Sequence, residues 1–162
     1  MGRPGPSRGR RGWAILLAPV PQQSISDLNL EFARRGYAAF NEGGVEGILP
    51  FLEPDIEWVN LHPAPMKGTY HGHEGVRRYF QQLEELFEGL RLEPEDFIAV
   101  GDDYVLVFLR VRGRGKETGV EGTVPVANLW KVGKTGAAEV KLYYDRGEAL
   151  EAAGLASQDP PR

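Results

Sequence analysis

Apolar residues near the start of the chain recur every three or four positions, the spacing of one helix face. They predict a helix over about 28–42, capped by Asp27 and ended by Gly43-Gly44, since glycine adopts the left-handed conformation at little cost. The same criterion predicts a short helix over 45–52 and a longer one over 74–88. The repeating positions of the first helix are Leu30, Ala33, Tyr37 and Phe40.

Alternation of apolar and polar residues dominates the rest of the chain and predicts strands. Every second side chain is apolar in the run Val105, Val107, Leu109 and Val111, so one face of that strand is expected to be buried. The predicted strands cover about 55–60, 91–100, 104–114, 118–132 and 138–144, with a loop at 61–69 and a short helical pattern at 146–155.

This order of elements predicts an α+β fold, in which three N-terminal helices lie on one face of a curved, mixed or antiparallel sheet. Strands that enclose a helix must bend. Gly119, Gly122 and Pro125 are placed to bend or bulge the strand over 118–132. Strands that bend in this way can also leave a cavity.

Composition narrows the class of function. The 162-residue chain has a net charge of −4 and no cysteine. The acidic balance argues against a nucleic-acid partner, and the lack of cysteine excludes disulfides, thiolate catalysis and zinc–thiolate sites. No apolar run approaches the ~18 residues of a membrane span. We therefore expect a cytoplasmic protein with no membrane partner and no cofactor.

The ends of the chain differ in composition from its middle. Arginine, glycine and proline dominate residues 1–12, and the apolar run Trp13–Ala18 is shorter than the ~7–15 residues typical of a signal peptide. We interpret 1–26 as a disordered leader, 27–155 as one domain and 156–162 as a disordered tail.

Four short motifs occur in the order and spacing of a known family: Tyr37–Gly43, Phe51–Trp58, Gly72–Val76 and Tyr144–Leu150. Through them, residues 28–155 resemble the SnoaL-like group of the nuclear transport factor 2-like superfamily. The resemblance implies the cone-shaped, cystatin-like α+β fold, which is often dimeric through the outer sheet face. It implies function less closely, because the superfamily includes polyketide cyclases, ketosteroid isomerases, epoxide hydrolases, dehydratases and non-catalytic proteins.

The positions at which catalytic relatives carry an acid hold other residues in this chain. The resemblance places the isomerase-like general base at Asn60, its partner acid at Asn128 and the cyclase-like aspartate at about Leu142. An amide hydrogen-bonds to a carbonyl but does not act as a base. The chain is therefore either an enzyme of lyase, isomerase or hydrolase type that uses another group, or a non-catalytic module for ligand binding or dimerisation.

Histidine is the remaining candidate for acid–base chemistry. His62 follows Asn60 by two positions and would share its strand face as a catalytic base; a solvent-facing loop histidine is the alternative. His71 is expected at the cavity mouth, and His73 is interpreted as structural. The pair His71-x-His73 has no clear third ligand, so no metal site is predicted.

A pocket for a small apolar organic molecule is predicted from aromatic, amide and other side chains directed at the interior or at the loop above it. Core packing is the alternative role for the same residues. The residues predicted to bind the ligand are Tyr37, Trp58, Asn60, Met66, Tyr70, His71, Phe80, Asn128, Trp130 and Tyr144.

The outer face of the predicted sheet is expected to form a homodimer. Phe108, Arg110, Leu129 and Tyr143 share that face, and the predicted helices fill the opposite side. Apolar area left exposed on a sheet usually meets a partner.

Overall fold

A computed structural model describes residues 24–61 and 66–155. Nearly all of the predicted leader and the whole predicted tail lie outside this range. The helices are α1 (Ile25–Ile48), α2 (Gly72–Leu86) and α3 (Arg146–Ala152), with a 3-10 turn at Leu49–Phe51. The strands are β1 (Leu52–Asn60), β2 (Gly68–His71), β3 (Phe87–Val100), β4 (Tyr104–Gly115), β5 (Glu121–Val132) and β6 (Ala137–Tyr143).

The strands form one six-stranded sheet in the order β2-β1-β6-β5-β4-β3. All neighbours are antiparallel except β1 and β6, which run parallel. The predicted α+β class with a mixed sheet is confirmed, and the sheet does not close on itself. One element was missed: β2 begins within the segment predicted as a loop and extends to His71, and it pairs with the end of β1.

The alternation read from the sequence places the main core on one face of the sheet. Val105, Val107 and Leu109 on β4 are buried there, together with Val140 on β6. Helices α1 and α2 pack against this inner face with Ala33, Tyr37, Phe40, Val76 and Phe80. Helical spacing on two elements and strand spacing on the others therefore meet in one apolar core.

The first helix starts earlier than predicted. Ser24, not Asp27, is its N-cap, because the Ser24 side chain accepts a hydrogen bond from the Asp27 backbone N–H at 3.1 Å. Gly44, with φ of 68° and ψ of −152°, is not helical and interrupts the helix where the glycines were predicted to end it, and one further turn continues to Ile48. The separate short helix predicted after the glycines is this turn and the 3-10 turn that follows.

Two asparagines tie α1 to the β3–β4 side of the sheet. The Asn29 side chain donates to the Asp102 carbonyl at 2.8 Å. Near the other end of α1, the Asn41 amide donates to the Leu92 carbonyl at 2.7 Å and accepts from the Leu92 N–H at 2.9 Å. Backbone groups of β3 and the following turn are thus paired with helix side chains, which holds α1 across the sheet.

The irregularities of the sheet lie elsewhere than predicted. The β4–β5 register runs without a shift from Tyr104–Lys131 to Arg114–Glu121, so Gly122 and Pro125 do not bulge β5. Gly119, with φ of 68°, belongs to the turn before β5. The register shifts occur in β3, next to Gly89 and Pro94, in β1, and at the end of the β5–β6 pair, between Lys131 and Val132. Glycine at positive φ and proline without an N–H interrupt β3 pairing.

The outer face of the sheet is covered by α3. Ala149 and Leu150 of this helix are buried against Leu106, Phe108, Ala127, Leu129 and Tyr143. The Arg146 guanidinium also lies 3.9 Å from the centroid of the Phe108 ring. The premise that no helix reaches this face is therefore wrong, although Arg110 remains exposed beside Glu95. The homodimer itself stays a prediction.

No helix within the described residues has the length and hydropathy needed to cross a bilayer.

Leu150→Ala is expected to lower the free energy of unfolding by about 2 to 3 kcal/mol, because the side chain is buried between α3 and the sheet. Urea unfolding measures the change. The neighbouring Glu151→Ala, on the exposed side of the same helix, should stay within about 0.5 kcal/mol of the parent. Equal effects of the two changes would show that α3 does not pack as described.

Candidate functional site

A cavity of about 600 Å³ lies between α2 and the inner face of the sheet. This volume is in the range of pockets that hold drug-sized molecules. Its walls are mostly aliphatic and aromatic, because α2 and the strands all turn their apolar faces inward. The apolar walls include Phe80 and Leu83 of α2, Leu92 of β3, Leu109 and Val111 of β4, Val126 of β5 and Leu142 of β6.

Exposed apolar side chains surround the mouth of the cavity. Leu86 and Phe87, where α2 meets β3, line the cavity together with Val120 of the turn before β5 and Val124 of β5, which are 67% and 50% exposed. His71 lies at the opposite end of α2, about 20 Å away along a helix of this length, and does not line the cavity.

Three residues in one row across the sheet form part of the cavity wall. Asn60 on β1 pairs in register with Leu142 on β6, which pairs with Asn128 on β5. Neighbouring strands lie ~4.8 Å apart, so the two amides are about 10 Å apart across the wall. Asn60 and Asn128 are 2% and 4% exposed, and each contributes a polar side chain to an otherwise apolar surface.

The Asn60 amide holds the chain where it returns to the sheet. Its Nδ2 donates to the Met66 carbonyl at 3.0 Å, and the Tyr70 hydroxyl donates to the same carbonyl at 3.0 Å. Asn60 takes part in further interactions. Met66 lines the cavity, whereas Tyr70 does not. This part of the wall is therefore organised by hydrogen bonds within the protein.

Asn128 is only partly paired. Its Nδ2 lies 2.8 Å from Tyr37 Oη, which also accepts from Trp130 Nε1 at 2.7 Å. Asn128 Oδ1 is buried without a hydrogen-bond partner among the described residues. Burial raises the pKa of Tyr37 far above its ordinary value, so its hydroxyl keeps its hydrogen at neutral pH.

Tyr37 and Trp130 lie behind the cavity wall rather than in it. Trp130 is fully buried, and its ring packs on α1 at Gly36, where an added Cβ would lie 2.9 Å from Cη2. Glycine at this position therefore allows the indole to reach Tyr37. Their centroids are 5.4 Å apart, a common aromatic contact.

An aromatic group forms the wall next to α2. Trp58 contacts Tyr79 and Phe80, with ring centroids 5.8 and 5.5 Å apart. Trp58 Nε1 is buried without a partner among the described residues. Burial is the main reason that the pKa of Tyr79 is raised, and a hydrogen bond to Tyr144 raises it further. Burial also raises the pKa of Tyr144. Both phenols therefore remain neutral near pH 7.

Six of the residues predicted to bind a ligand line this cavity: Trp58, Asn60, Met66, Phe80, Asn128 and Tyr144. Tyr37, Trp130, Tyr70 and His71 do not, and the candidate base His62 lies outside the described residues. Tyr79, the neighbour of Phe80, and the inner positions of β4 also line the cavity but were not predicted to do so. The alternation around Leu109 and Val111 could have indicated the β4 positions.

Ionised groups are scarce on the cavity surface. Among the described lining residues, Glu121 is the one carboxylate, at the exposed rim, and there is no histidine, lysine or arginine. His73 Nε2 lies 2.9 Å from the Leu52 carbonyl, so this histidine fixes the start of α2 to β1. The described part of the chain contains no cluster of acidic and histidine side chains that could hold a metal.

Comparison with known proteins agrees with this architecture. A model of the SnoaL-like domain matches residues 33–139, about two thirds of the chain. The chain belongs to the SnoaL-like domain family. No curated protein sequence matches this SnoaL-like protein.

Several solved structures share the fold of this SnoaL-like protein. An NTF2-like protein from Burkholderia xenovorans is 29% identical, with 77% of this chain and 94% of that chain covered and a TM-score of 0.59. TerC, co-crystallised with polyporic acid, is 27% identical, with 81% and 99% covered and a TM-score of 0.64. An NTF2-like protein of unknown function from Burkholderia pseudomallei is 24% identical, with 80% and 97% covered and a TM-score of 0.64.

Both wall asparagines should contribute to stability, because each amide is paired with a group inside the protein. Asn60→Leu removes a donor to the Met66 carbonyl and should cost about 1 to 2 kcal/mol of unfolding free energy. Asn128→Leu leaves the buried Tyr37 hydroxyl without its amide partner and should cost about 1 to 3 kcal/mol. Urea unfolding of both variants tests this. An unchanged free energy of unfolding in Asn128→Leu would contradict the hydrogen bond between Asn128 and Tyr37.

Proposed function

We propose that this SnoaL-like protein binds an uncharged, largely apolar organic molecule in the cavity between α2 and the sheet. The observation that carries the proposal is a cavity of about 600 Å³ whose inner wall offers apolar side chains, two amides and neutral phenols. An apolar ligand would replace water against these walls and gain about 25 cal/mol for each Å² of apolar surface buried.

The lack of charged side chains on the described inner wall supports an uncharged ligand. Transfer of an ion from water into such a site is costly unless an opposite charge meets it. The described inner wall supplies no cation for an anionic ligand, and its one carboxylate is at the rim. Binding is therefore better supported than catalysis by a buried carboxylate, since amides occupy the two positions at which isomerase-like relatives place acids.

Similarity to a protein that has been crystallised with an organic molecule gives independent support. TerC, 27% identical, was co-crystallised with polyporic acid. This similarity supports the binding of an organic compound by the fold. The ligand of this SnoaL-like protein depends on the residues of its own cavity wall.

A matched pair of dyes tests the proposal. N-phenyl-1-naphthylamine is uncharged, whereas 8-anilinonaphthalene-1-sulfonate carries a sulfonate on the same skeleton. We expect the uncharged dye to bind with 1:1 stoichiometry and at least about tenfold more tightly, because burial of the sulfonate is not compensated. Fluorescence titration measures both affinities. Equal affinity, or tighter binding of the sulfonate, would overturn the proposal.

A pair of variants locates the dye. Val126→Trp places a large side chain in the cavity and should abolish binding of the uncharged dye. Lys131→Trp adds the same side chain at an exposed position of the same strand and should leave binding unchanged. Circular dichroism confirms that both variants are folded. Binding that survives Val126→Trp would place the dye elsewhere.

Affinity for the uncharged dye should not vary between about pH 6 and 9, because the tyrosines of the wall titrate above their ordinary value near 10. Their folded-state pKa values are raised, so they contribute to stability below pH ~10, and this contribution is lost as the pH rises further. Titrations at several pH values measure the dependence. A transition near pH 6.5 would instead indicate a histidine at the site, as predicted for His62.

A further inference from the structure

The hydroxyl of Tyr37 determines which end of the Asn128 amide faces the cavity. An indole nitrogen is a donor only, so Tyr37 Oη must accept from Trp130 Nε1, 2.7 Å away. The second hydrogen-bonded neighbour of Tyr37 Oη within the described part of the chain is the Asn128 amide, at 2.8 Å. The Tyr37 hydroxyl also carries its own hydrogen, which needs an acceptor in this buried place.

Two orientations of the Asn128 amide place its heavy atoms at the same points. The oxygen and nitrogen of an amide are nearly equal in size, so surrounding hydrogen bonds decide between them. With Nδ2 toward Tyr37, the Tyr37 hydrogen has no acceptor and Asn128 Oδ1 has no donor among the described residues. With Oδ1 toward Tyr37, Trp130 donates to Tyr37 and Tyr37 donates to Asn128, so both demands are met.

We propose that Tyr37 is a positioning residue that turns the Asn128 amide so that its N–H₂ group serves a ligand carbonyl. This inference rests on the proposed function and specifies its ligand: an apolar molecule with a ketone or similar neutral acceptor. Asn128 belongs to the cavity wall, and only 4% of its surface is exposed. In the proposed orientation, the atom facing away from Tyr37 is a donor.

A second unpaired donor in the same wall points to the same ligand chemistry. Trp58 Nε1 is buried and has no acceptor among the described residues. An indole nitrogen cannot accept, so a partner for it must carry a lone pair. With the amide turned as proposed, β1 and β5 each contribute an unpaired N–H donor to the cavity wall. A ligand that brings acceptors satisfies both, whereas a hydrocarbon satisfies neither.

Three probes with one carbon skeleton test the proposal: tetralin, 1-tetralone and 1-tetralol. Their affinities are measured by displacement of N-phenyl-1-naphthylamine. We expect tetralone to bind about tenfold more tightly than tetralin, the size of one net hydrogen bond. Tetralol should bind more weakly than tetralone, because its oxygen can accept from the amide but its own hydrogen would then have no acceptor among the apolar side chains. Tighter binding of the alcohol than of the ketone would show that Asn128 presents its oxygen.

Variants separate positioning from direct contact. In Tyr37→Phe, nothing holds the amide in one orientation, so the affinities of ketone and alcohol should differ by less than about twofold, with tetralin unaffected. Asn128→Leu should remove the preference as well. Val126→Ala, an apolar change in the same wall, should alter all three affinities by a common factor. A ketone preference that persists in Tyr37→Phe would overturn the role given to Tyr37.

Nuclear magnetic resonance tests the amide orientation without a ligand. The Asn128 side-chain amide protons are assigned by their loss in Asn128→Leu. We expect weak nuclear Overhauser contacts from these protons to the Tyr37 ring and a slowly exchanging Tyr37 hydroxyl proton. Strong contacts to the Tyr37 ring would overturn the inference even if the dye binds. Failure of the dye to bind, with the expected contacts observed, would instead count against the proposed function alone.

Discussion

The close approach of Trp130 to α1 at Gly36 is the contact on which the interior depends. An added Cβ at Gly36 would lie 2.9 Å from the indole, so any larger residue must displace either the helix or the ring. This contact brings Trp130 Nε1 to the Tyr37 hydroxyl, and the hydroxyl in turn reaches Asn128. A packing constraint between a helix and a strand thereby determines a polar position in the cavity wall.

The cavity exists because the two halves of the inner face are filled differently. Toward Trp130, aromatic rings from α1 and the sheet pack closely, with Phe32 and Tyr37 both in contact with the indole. Toward Val111 and Val126, the facing segment is the end of α2, and its side chains leave open space. The fold thus combines a packed end that gives stability with an open end that is available to a ligand.

Much of the fold was predictable because periodicity reports which face is buried. The alternation around Val107 and Leu109 and the helical spacing around Ala33 and Tyr37 correspond to the observed core. Features that depend on contacts between distant residues were not predictable. Strand β2 forms because the end of β1 offers it a partner, and α3 covers the outer face because Leu150 finds Phe108 and its neighbours there.

The candidate site was predictable to a lesser extent. The strand positions of Trp58, Asn60 and Asn128 follow from alternation, and the structure brings all three to one cavity. Tyr37 and Trp130 lie behind the wall because α1 packs close to Trp130 on the sheet. The glycine at position 36 permits this close packing, and its missing side chain gives no periodic signal in the sequence.

The parallel pairing of β1 with β6 has a consequence for the order of folding. Trp58 meets Val140, about 80 residues later in the chain, whereas β3, β4 and β5 pair with their sequence neighbours. During synthesis, the β3–β5 meander can form before β6 has emerged, but β1 and β2 cannot join it. Because β6 is the strand that links the two groups, the wall that carries Asn60 and Asn128 is completed last. Loop closure over this separation has a larger entropic cost than closure of the short turns in the meander, so we expect docking of β1 to be a late step.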